Sequence, residues 1–307
     1  MGKKADTGFS RLGKDDRLVT ELCAQAWWKH LVEHSHRDPD INIQLRRDSI
    51  NVYSKMGSLL KISMSGNDIC CKIHYKYLLA EAKKPYAEII PFGEELLVSG
   101  TVCSNIQNVL NPENFRTIKR NVAVYAGEEK VIQSRLVEKN KETIIDVEVA
   151  FTEKPGRDDD SAENTRIDFV NVDKSSQKLV FVELKQIFDS RLYNEEISNQ
   201  IKKYHDFALK HKAQLVKAYQ DAIKGKKKLG IIRESSFLSK ATITTIEPRP
   251  LLVIAAYNQE IIDALRDKIR ANLGKHGAID HLSGLYFFGN EVDLNLSTHK
   301  YKNREVF

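Results

Sequence analysis

The chain has 307 residues, of which 48 are Lys or Arg and 42 are Asp or Glu, so its formal net charge is +6. Hydrophobic residues make up 41% and charged residues 29%, proportions that exclude the disordered and fibrous classes. No apolar run approaches the ~20 residues that cross a bilayer, and the polar start MGKKADTGFSRLGKDD lacks a signal peptide. We therefore expect a cytoplasmic protein without membrane association, whose four cysteines are reduced.

The first hundred residues predict a small α+β domain. Leu18 and Leu22 belong to an apolar stripe at helical spacing, which predicts a helix over residues 15–34. The runs INIQLR, SINVYSK, GSLLKIS and DICCKIHYKYLL are β-rich and separated by turn signals, so they predict an antiparallel meander packed on that helix. Because residues 85–112 read as irregular, we set the boundary of this N-terminal α+β antiparallel domain at residues 1–105. It contains no catalytic constellation and is a candidate for substrate selection or a partner surface.

The rest of the chain, residues 106–307, predicts a second domain of mixed α/β class. Residues 114–140 predict one long helix or two in series, broken at Gly127. The strand candidates TIIDVEVAFTEK, TRIDFVNVD and KLVFVELK follow, with the polar linker KPGRDDDSAEN as a loop between the first two. A helix over residues 194–223 ends at GKKKLG, before the strand RPLLVIAAY, the helix NQEIIDALRDKIRANLGKHG and the strand LSGLYFFGN. This order implies a mixed sheet with helices on its faces.

The strand KLVFVELK ends in an acid and a base on one face, Glu183 and Lys185. If the preceding turn is centred on Ser175 and Ser176, strand pairing sets Asp168 directly opposite Glu183, with Cβ atoms about 5 Å apart. Two carboxylates at that separation repel each other unless a cation lies between them. Oxygen ligands favour a hard divalent ion, and Mg²⁺ is the most available. Lys185 would then lie beside the site and orient the attacking water.

An ordinary strand in which Glu183, Lys185 and Arg166 make cross-strand ion pairs is the alternative interpretation. The ExK triplet alone is weak evidence, because Glu81-Ala82-Lys83 and Glu128-Glu129-Lys130 have the same spacing. The Asp on the preceding strand and the position of ExK at the end of an apolar strand make the full arrangement much more specific.

The segment TRIDFVNVDKSSQKLVFVELK resembles the catalytic hairpin of the PD-(D/E)xK nuclease superfamily, which includes restriction endonucleases and recombination exonucleases. The resemblance implies a restriction-endonuclease-like αβββαβ core. It also implies that Asp168 and Glu183 bind Mg²⁺, with Mn²⁺ as a substitute, and that Lys185 assists the attacking water. One departure is that Ile167 stands before Asp168, where the motif's name has proline.

Two further segments extend the resemblance. Gln200 and Tyr204 in NQIKKY are similar to the QxxxY element that lines the site in many members, although an amphipathic helix with Tyr204 packed on the sheet explains the same spacing. GEEKVIQSRLVEKN is similar to the family's first core helix, which often carries an acid facing the metal. Glu129 is the candidate for that third metal ligand, with Glu128 nearly as well placed and Glu148 a weaker choice.

A basic block extends from Lys202 to Arg233, with ten Lys or Arg and two acids. Such a block suits a polyanionic partner, although a solvated helix face explains it as well. We predict that five lysines of the block contact nucleic-acid phosphates and that the last three are exposed in the turn GKKKLG. These five residues are Lys202, Lys203, Lys226, Lys227 and Lys228.

Together, the patterns predict a Mg²⁺-dependent nuclease that hydrolyses phosphodiester bonds, with DNA as the expected partner. Restriction, phage defence and repair are compatible roles, and a homo-oligomer is possible. The alternatives are a catalytically silent nucleic-acid-binding or assembly protein on the same fold, and an RNase. The chain contains no GxxxxGK[ST], HExxH, GxSxG or paired CxxC, so phosphate-loop, zincin, serine-hydrolase and paired-cysteine metal chemistry are not predicted.

Overall fold

A computed structural model describes residues 9–13, 16–78, 86–89, 106–152, 164–289, 296 and 304–306. The chain divides into two compact units. We call the unit of Arg11–Ser134 and Asp221–Ser235 the meander unit, and that of Met1–Ser10, Arg135–Gln220 and Ser236–Phe307 the mixed-sheet unit. None of the helices in the described ranges is long and apolar enough to cross a membrane.

This division differs from the single boundary predicted near residue 105. Residues 106–134 belong to the meander unit because apolar side chains such as Phe115 are buried in its core. Residues 221–235 return to the same unit, where Leu229 is buried and its carbonyl accepts a hydrogen bond from the Trp28 indole at 3.2 Å. Because the core of this unit contains segments that are distant in the sequence, no single domain boundary describes it.

The meander unit has a sheet with five antiparallel strands in chain order. Along the chain, the strands are β1 (Ile41–Leu45), β2 (Ser49–Ser54), β3 (Gly57–Ser65), β4 (Asp68–His74) and β5 (Tyr86–Ile89). The four-run meander is confirmed, and β5, in a segment predicted to be irregular, adds an edge strand. The other residues of that segment up to 105 lie outside the described ranges.

The helices of the meander unit depart from prediction in two places. The helix predicted over residues 15–34 is two helices, because the chain leaves helical geometry at Gln25, which is extended. Asp16 caps the first helix by accepting a hydrogen bond from Leu18 N at 2.9 Å. The tail YKYL is helical, not extended. These helices are α1 (Arg17–Cys23), α2 (Ala26–Arg37), α3 (Tyr75–Leu78), α4 (Ile106–Val109) and α5 (Pro112–Val124).

The mixed-sheet unit has a sheet of six strands. In chain order these are β6 (Ile144–Thr152), β7 (Asn164–Val172), β8 (Leu179–Gln186), β9 (Ile246–Ala255), β10 (Gly284–Phe288) and β11 (Arg304–Val306). Their spatial order is β11-β10-β9-β8-β7-β6, with parallel pairing of β9 to both β8 and β10 and antiparallel pairing elsewhere. The predicted mixed α/β class is confirmed. Apart from Asn164, the linker KPGRDDDSAEN lies outside the described residues.

Helices cover the mixed sheet, where Ile201, Leu252, Ile254 and Ile262 share one buried cluster. The region predicted as one helix over residues 194–223 is two helices that meet at His211. The helices that belong wholly or partly to this unit are α6 (Glu128–Lys139), which begins in the meander unit, α7 (Glu196–Lys210), α8 (Lys212–Lys228), which ends in the meander unit, α9 (Phe237–Lys240) and α10 (Gln259–Lys275). Short 3-10 turns lie at Ser190–Tyr193 and Ile279–His281.

The prediction that GKKKLG forms an exposed turn is wrong, because α8 continues through Lys228. Gly225 is required for a close approach and not for a bend: a Cβ there would lie 2.5 Å from the carbonyl oxygen of Leu12. The turn comes later, at Gly230, whose φ of +75° is the left-handed conformation that favours glycine.

Candidate active site

The candidate catalytic residues lie on the hairpin of β7 and β8. The residue pairs between β7 and β8 run from Val172↔Leu179 beside the turn to Phe169↔Val182, and they have the register predicted from the sequence. The same register continued by one pair sets Asp168 opposite Glu183. Asp173 stabilises the turn, because one of its carboxylate oxygens accepts hydrogen bonds from two serine amides at 3.1 and 2.7 Å. Local turn chemistry therefore fixes which side chains face each other.

Asp168 is held against the next strand by a backbone contact. Its Oδ2 accepts a hydrogen bond from the N–H of Leu184 at 2.8 Å. Leu184 lies between Glu183 and Lys185, so this bond locks the aspartate next to both candidate residues. The carboxylate is thereby oriented before any ligand binds.

Glu183 and Lys185 form an ion pair that is almost completely buried. Their exposed fractions are 2% and 3%, and the Lys185 ammonium donates to Glu183 Oε1. Burying two charges costs several kcal/mol each in desolvation. The attraction within the ion pair offsets this cost only where further hydrogen bonds satisfy the remaining polar atoms. Arg166, the third partner of the alternative ion-pair interpretation, is exposed. The buried pair is therefore unlike an ordinary solvated strand face.

The helix α7 completes the environment of Glu183. Gln200 Nε2 donates to Glu183 Oε1 at 2.7 Å and lies 2.6 Å from the Tyr204 hydroxyl oxygen. The Tyr204 hydroxyl donates to the carbonyl oxygen of Arg166, which joins α7 to β7. The structure thus brings together the two residues of the QxxxY-like element and the hairpin. Tyr204 is 3% exposed and contacts β7, which agrees with the packing interpretation, and its role at the site stays a prediction.

One oxygen of Glu183 has no hydrogen-bond donor among the described residues. Its Oε2 is buried and accepts no hydrogen bond from the described residues, whereas Oε1 accepts two. A buried acceptor without a donor costs about 1–3 kcal/mol, and a charged one costs more. Carboxylate oxygens are the ligands that Mg²⁺ prefers, and Asp168 supplies a second carboxylate beside it. The residues present therefore fit a hard divalent cation.

The electrostatics of the pair agree with this fit. Burial, and after it the charge of Glu183, raises the pKa of Asp168 well above its usual value, although Lys185 acts against the shift. Burial also raises the pKa of Glu183, against the opposing effects of Lys185, Tyr204 and Gln200. Two neighbouring acids whose charged forms are disfavoured are stabilised by a cation between them.

Glu148 on β6 is the second acid whose charge acts on Asp168. Burial first and then Glu183 raise the pKa of Asp168, and Glu148 raises it further. The pairs Val147↔Phe169 and Val149↔Ile167 flank it, which sets Glu148 across from Asp168. Its side chain is exposed and its φ is +50°, a conformation that non-glycine residues rarely adopt. From the sequence Glu148 is only a weak candidate, because backbone strain leaves no mark on strand periodicity.

Glu129, the candidate third metal ligand, lies in the first turn of α6 within the meander unit and is exposed, as is Glu128. Neither residue is among the main causes of the raised pKa values of Asp168 and Glu183. Within the described ranges, no group of three or more His, Cys, Asp or Glu has metal-binding geometry. The candidate metal site therefore consists of two carboxylates, with the charge of Glu148 nearby.

Lys226 does not have the exposure predicted for phosphate binding. It is 4% exposed, and its ammonium donates to Gln44 Oε1 at 2.7 Å within the meander unit. Its position on α8 points it inward, because the turn in which it was expected to protrude is helical. Lys226 is thus a structural residue.

The other four lysines of the basic block are at least partly exposed. Lys202 forms an ion pair with Asp206 at 2.7 Å, and Lys227 lies 3.9 Å from Glu234. Lys203 is half-buried on α7, and Lys228 is exposed at the end of α8. Exposed ion pairs of this kind exchange readily with other anions, so phosphate binding by these lysines stays a prediction.

No protein-family model, curated protein or solved structure matches this chain.

Proposed function

We propose that the protein is a Mg²⁺-dependent nuclease of the PD-(D/E)xK type that hydrolyses phosphodiester bonds of DNA. The observation that supports this most strongly is the buried Glu183 beside Asp168. One of its oxygens accepts from Lys185 and Gln200, and the other has no donor among the residues that the structure describes. The element order α6, β6, β7, β8, α7, β9 agrees with the αβββαβ core of that superfamily.

In this proposal, Asp168 and Glu183 hold the cation. A divalent ion bound there supplies Lewis-acid polarisation of the scissile phosphate and makes a water more acidic. The protein's own contribution is orientation: Leu184 N–H fixes Asp168, and Gln200 fixes Glu183. Preorganised ligands need no rearrangement when the substrate arrives.

Lys185 acts as a donor to the attacking water. Its ammonium has three N–H groups, and one of them is used by Glu183. The others are available to orient a water and to stabilise negative charge on the phosphate as it develops. Tyr204 acts indirectly. Its hydroxyl bonds to the carbonyl oxygen of Arg166, which fixes α7, and α7 carries the Gln200 that contacts Glu183.

The four lysines that are at least partly exposed are the candidates for contacts with backbone phosphates: Lys202, Lys203, Lys227 and Lys228. Such contacts position a strand without reading its bases. Restriction, phage defence and DNA repair in the cytoplasm all fit this activity, and so does a homo-oligomeric enzyme.

Two alternatives are distinguished by one experiment. Circular DNA, linear DNA and RNA are each incubated with the protein in Mg²⁺, in Mn²⁺ and in EDTA. Metal-dependent cleavage of DNA supports the proposal, and cleavage of RNA alone would identify an RNase. Binding to nucleic acid without cleavage in either metal would support the catalytically silent protein instead. Cleavage of circular DNA separates endonuclease from exonuclease action.

A further inference from the structure

Two aromatic side chains beyond the ends of β8 and β9 are among the most exposed large hydrophobic residues in the described ranges. Phe188 is 59% exposed and Tyr257 is 62% exposed. Their ring centroids lie 6.5 Å apart and their planes differ by 32°. Single exposed apolar residues are common on soluble proteins, but two exposed rings in contact with each other form a larger aromatic patch than either ring alone.

The pair lies close to the candidate active site because of strand register. Lys185 pairs with Ile254 in the parallel ladder of β8 and β9, and the same register continued by three residues sets Phe188 beside Tyr257. Three residues of extended chain span at most about 11 Å, so Phe188 lies within that distance of Lys185 between Cα atoms.

Asp189, which follows Phe188, gives independent evidence that this loop is close to Lys185. Burial raises the pKa of Asp189, but hydrogen bonds from Arg191 and the charges of Arg191 and Lys185 lower it overall. The loop that carries Phe188 is therefore within electrostatic reach of Lys185. Arg191, with 38% of its side chain exposed, adds a cation at the same edge.

We propose that Phe188 and Tyr257 form a stacking surface for an unpaired nucleobase next to the scissile phosphate. Every base has a π-face, so stacking on aromatic rings binds nucleic acid without reading its sequence, and it requires a base that is not paired. This inference rests on the proposed function, and it specifies single-stranded or frayed DNA as the preferred substrate. A protein partner that covers the two rings is the competing explanation.

Stacking is measured by the fluorescence of 2-aminopurine in a single-stranded oligonucleotide, which stacking quenches. The protein carries Lys185→Ala, so that cleavage does not interfere, and Ca²⁺ replaces Mg²⁺. We expect quenching on binding, and an affinity about tenfold weaker for Phe188→Leu and for Tyr257→Leu, which keep an apolar side chain but lose the ring. Tyr257→Phe retains the affinity. Leu209→Ala, at a residue that is 52% exposed on α7, is the matched control and has no effect.

The outcomes are separable from those of the nuclease proposal. Equal affinities for the leucine variants and their parent, no binding of any oligonucleotide, or an equal loss for blunt duplex and single strand would each overturn the stacking surface. An equal loss for duplex and single strand would mean that the rings contribute to nucleic-acid binding without stacking on an unpaired base. An effect on self-association alone would mean that they form a protein–protein contact. If the wild-type protein cleaves nothing but the ring-dependent quenching persists, the nuclease proposal fails and the stacking surface stands.

A second observation, in the meander unit, is independent of catalysis. A cleft of about 750 Å³ lies between α2 and α5 and is lined mainly by charged side chains. Within it, Lys119 is neutralised by an ion pair with Asp38 and lies 3.6 Å from Asp40. Four further cations line the cleft and form no ion pair with any residue in the described ranges: Arg37, Lys55, Arg116 and Arg120.

The lining carries an excess of positive charge. Asp38 and Asp40 lie beside Lys119, so Glu33 is the one carboxylate among the described lining residues that remains to balance these four cations. Like charges around one concavity repel each other and raise the local concentration of anions. Lys55 has a φ of +46°, so the hairpin of β2 and β3 holds this cation at the cleft in a conformation that lysine rarely adopts. The volume is that of small-ligand sites.

We propose that this cleft binds clustered phosphate groups, from the polyphosphate of a nucleotide or from successive phosphates of a nucleic-acid strand. Calorimetric titrations in EDTA with inorganic triphosphate, a nucleoside triphosphate and a single-stranded oligonucleotide distinguish the sources. Arg116→Gln and Arg120→Gln should each weaken the tightest of these by about fivefold or more, since charge-assisted contacts are the strong ones. Lys61→Gln, at an exposed lysine on β3, is the control. No binding, or an equal loss in the control, would overturn the site.

Discussion

Asp168 accepts a hydrogen bond from the backbone amide of Leu184 at 2.8 Å, so the side chain of one strand is fixed to the main chain of the next. This bond lies between Glu183 and Lys185, and it ties the aspartate to the two residues whose charges act most strongly on it. The candidate site is therefore rigid because it is built on paired strands and not on loops.

Lys185→Ala and Glu183→Gln should each reduce Mg²⁺-dependent cleavage by about a hundredfold or more, the usual effect of removing one preorganised polar group. Initial rates on linear DNA measure the effect, and circular dichroism checks that the fold is intact. Lys174→Ala, at a half-exposed lysine in the turn of the same hairpin, is the matched control. Wild-type rates in either site variant would contradict the catalytic assignment.

Asp168→Asn should stabilise the metal-free protein at neutral pH. Because burial and the charge of Glu183 raise the pKa of Asp168 in the folded state, the unfolded chain releases this proton first, and stability falls as the pH rises from about 3.9 towards the folded pKa. The asparagine removes that loss, so its melting temperature in EDTA should exceed that of wild type by a few °C at pH 7. The gain should vanish near pH 3.

Thermal melts from pH 3 to pH 8, with EDTA or Mg²⁺, measure this prediction. Mg²⁺ should raise the melting temperature of wild type more than that of Asp168→Asn, because the proposed site binds the ion in the folded state through both carboxylates. Asp267→Asn, at an exposed residue of α10, should behave as wild type does. A destabilised Asp168→Asn at neutral pH would show that the carboxylates are already compensated within the protein.

Gln200→Ala and Tyr204→Phe should lower the rate of cleavage more than they lower stability. Gln200 donates to Glu183 Oε1 at 2.7 Å, so its loss frees the carboxylate to rotate, with an expected rate loss of about tenfold or more. Tyr204→Phe keeps the buried ring and removes only the hydroxyl bond to Arg166. Asn199→Ala, at an exposed position of α7, is the control. A loss of stability that accounts for the whole rate change would leave these residues as packing alone.

Lys226→Ala should destabilise the fold without a specific effect on DNA binding. The substitution leaves the buried acceptor Gln44 Oε1 without the donor that lies 2.7 Å away, at a cost of about 1–3 kcal/mol. Urea unfolding curves measure the cost, and Lys228→Ala, at the exposed end of the same helix, should leave the midpoint unchanged. Equal midpoints for Lys226→Ala and wild type would mean that the buried contact contributes nothing.

Replacing Lys202, Lys203 and Lys228 together by alanine should weaken DNA binding similarly for unrelated sequences. Each lost phosphate contact changes the slope of log affinity against log salt by about 0.9 on duplex DNA, so the slope should flatten by about one to three units. Binding is measured in Ca²⁺, in which cleavage does not intervene. An unchanged slope together with unchanged affinity would remove these lysines from the DNA surface.

The sequence by itself determined the features that depend on neighbours along the chain. Alternation in KLVFVELK puts Glu183 and Lys185 on one face, and the turn at Ser175 and Ser176 fixes the register that sets Asp168 opposite Glu183. Hairpin pairing is local, because the turn length and the two-residue period leave few registers open. The helix break near Gly127 and the order of the six-strand unit up to β10 follow from the same short-range patterns.

Only the tertiary structure decided which distant groups meet. Gly225 reads as a turn residue, but the passing backbone of Leu12 requires it inside a helix, and that helix buries Lys226. Phe188 and Tyr257 become neighbours because β8 and β9 pair in parallel across an intervening helical crossover. The bond from Gln200 to Glu183 depends on how α7 is rotated against the sheet. Periodicity reports which face of an element is apolar, whereas the partner of that face is set by the packing of the whole core.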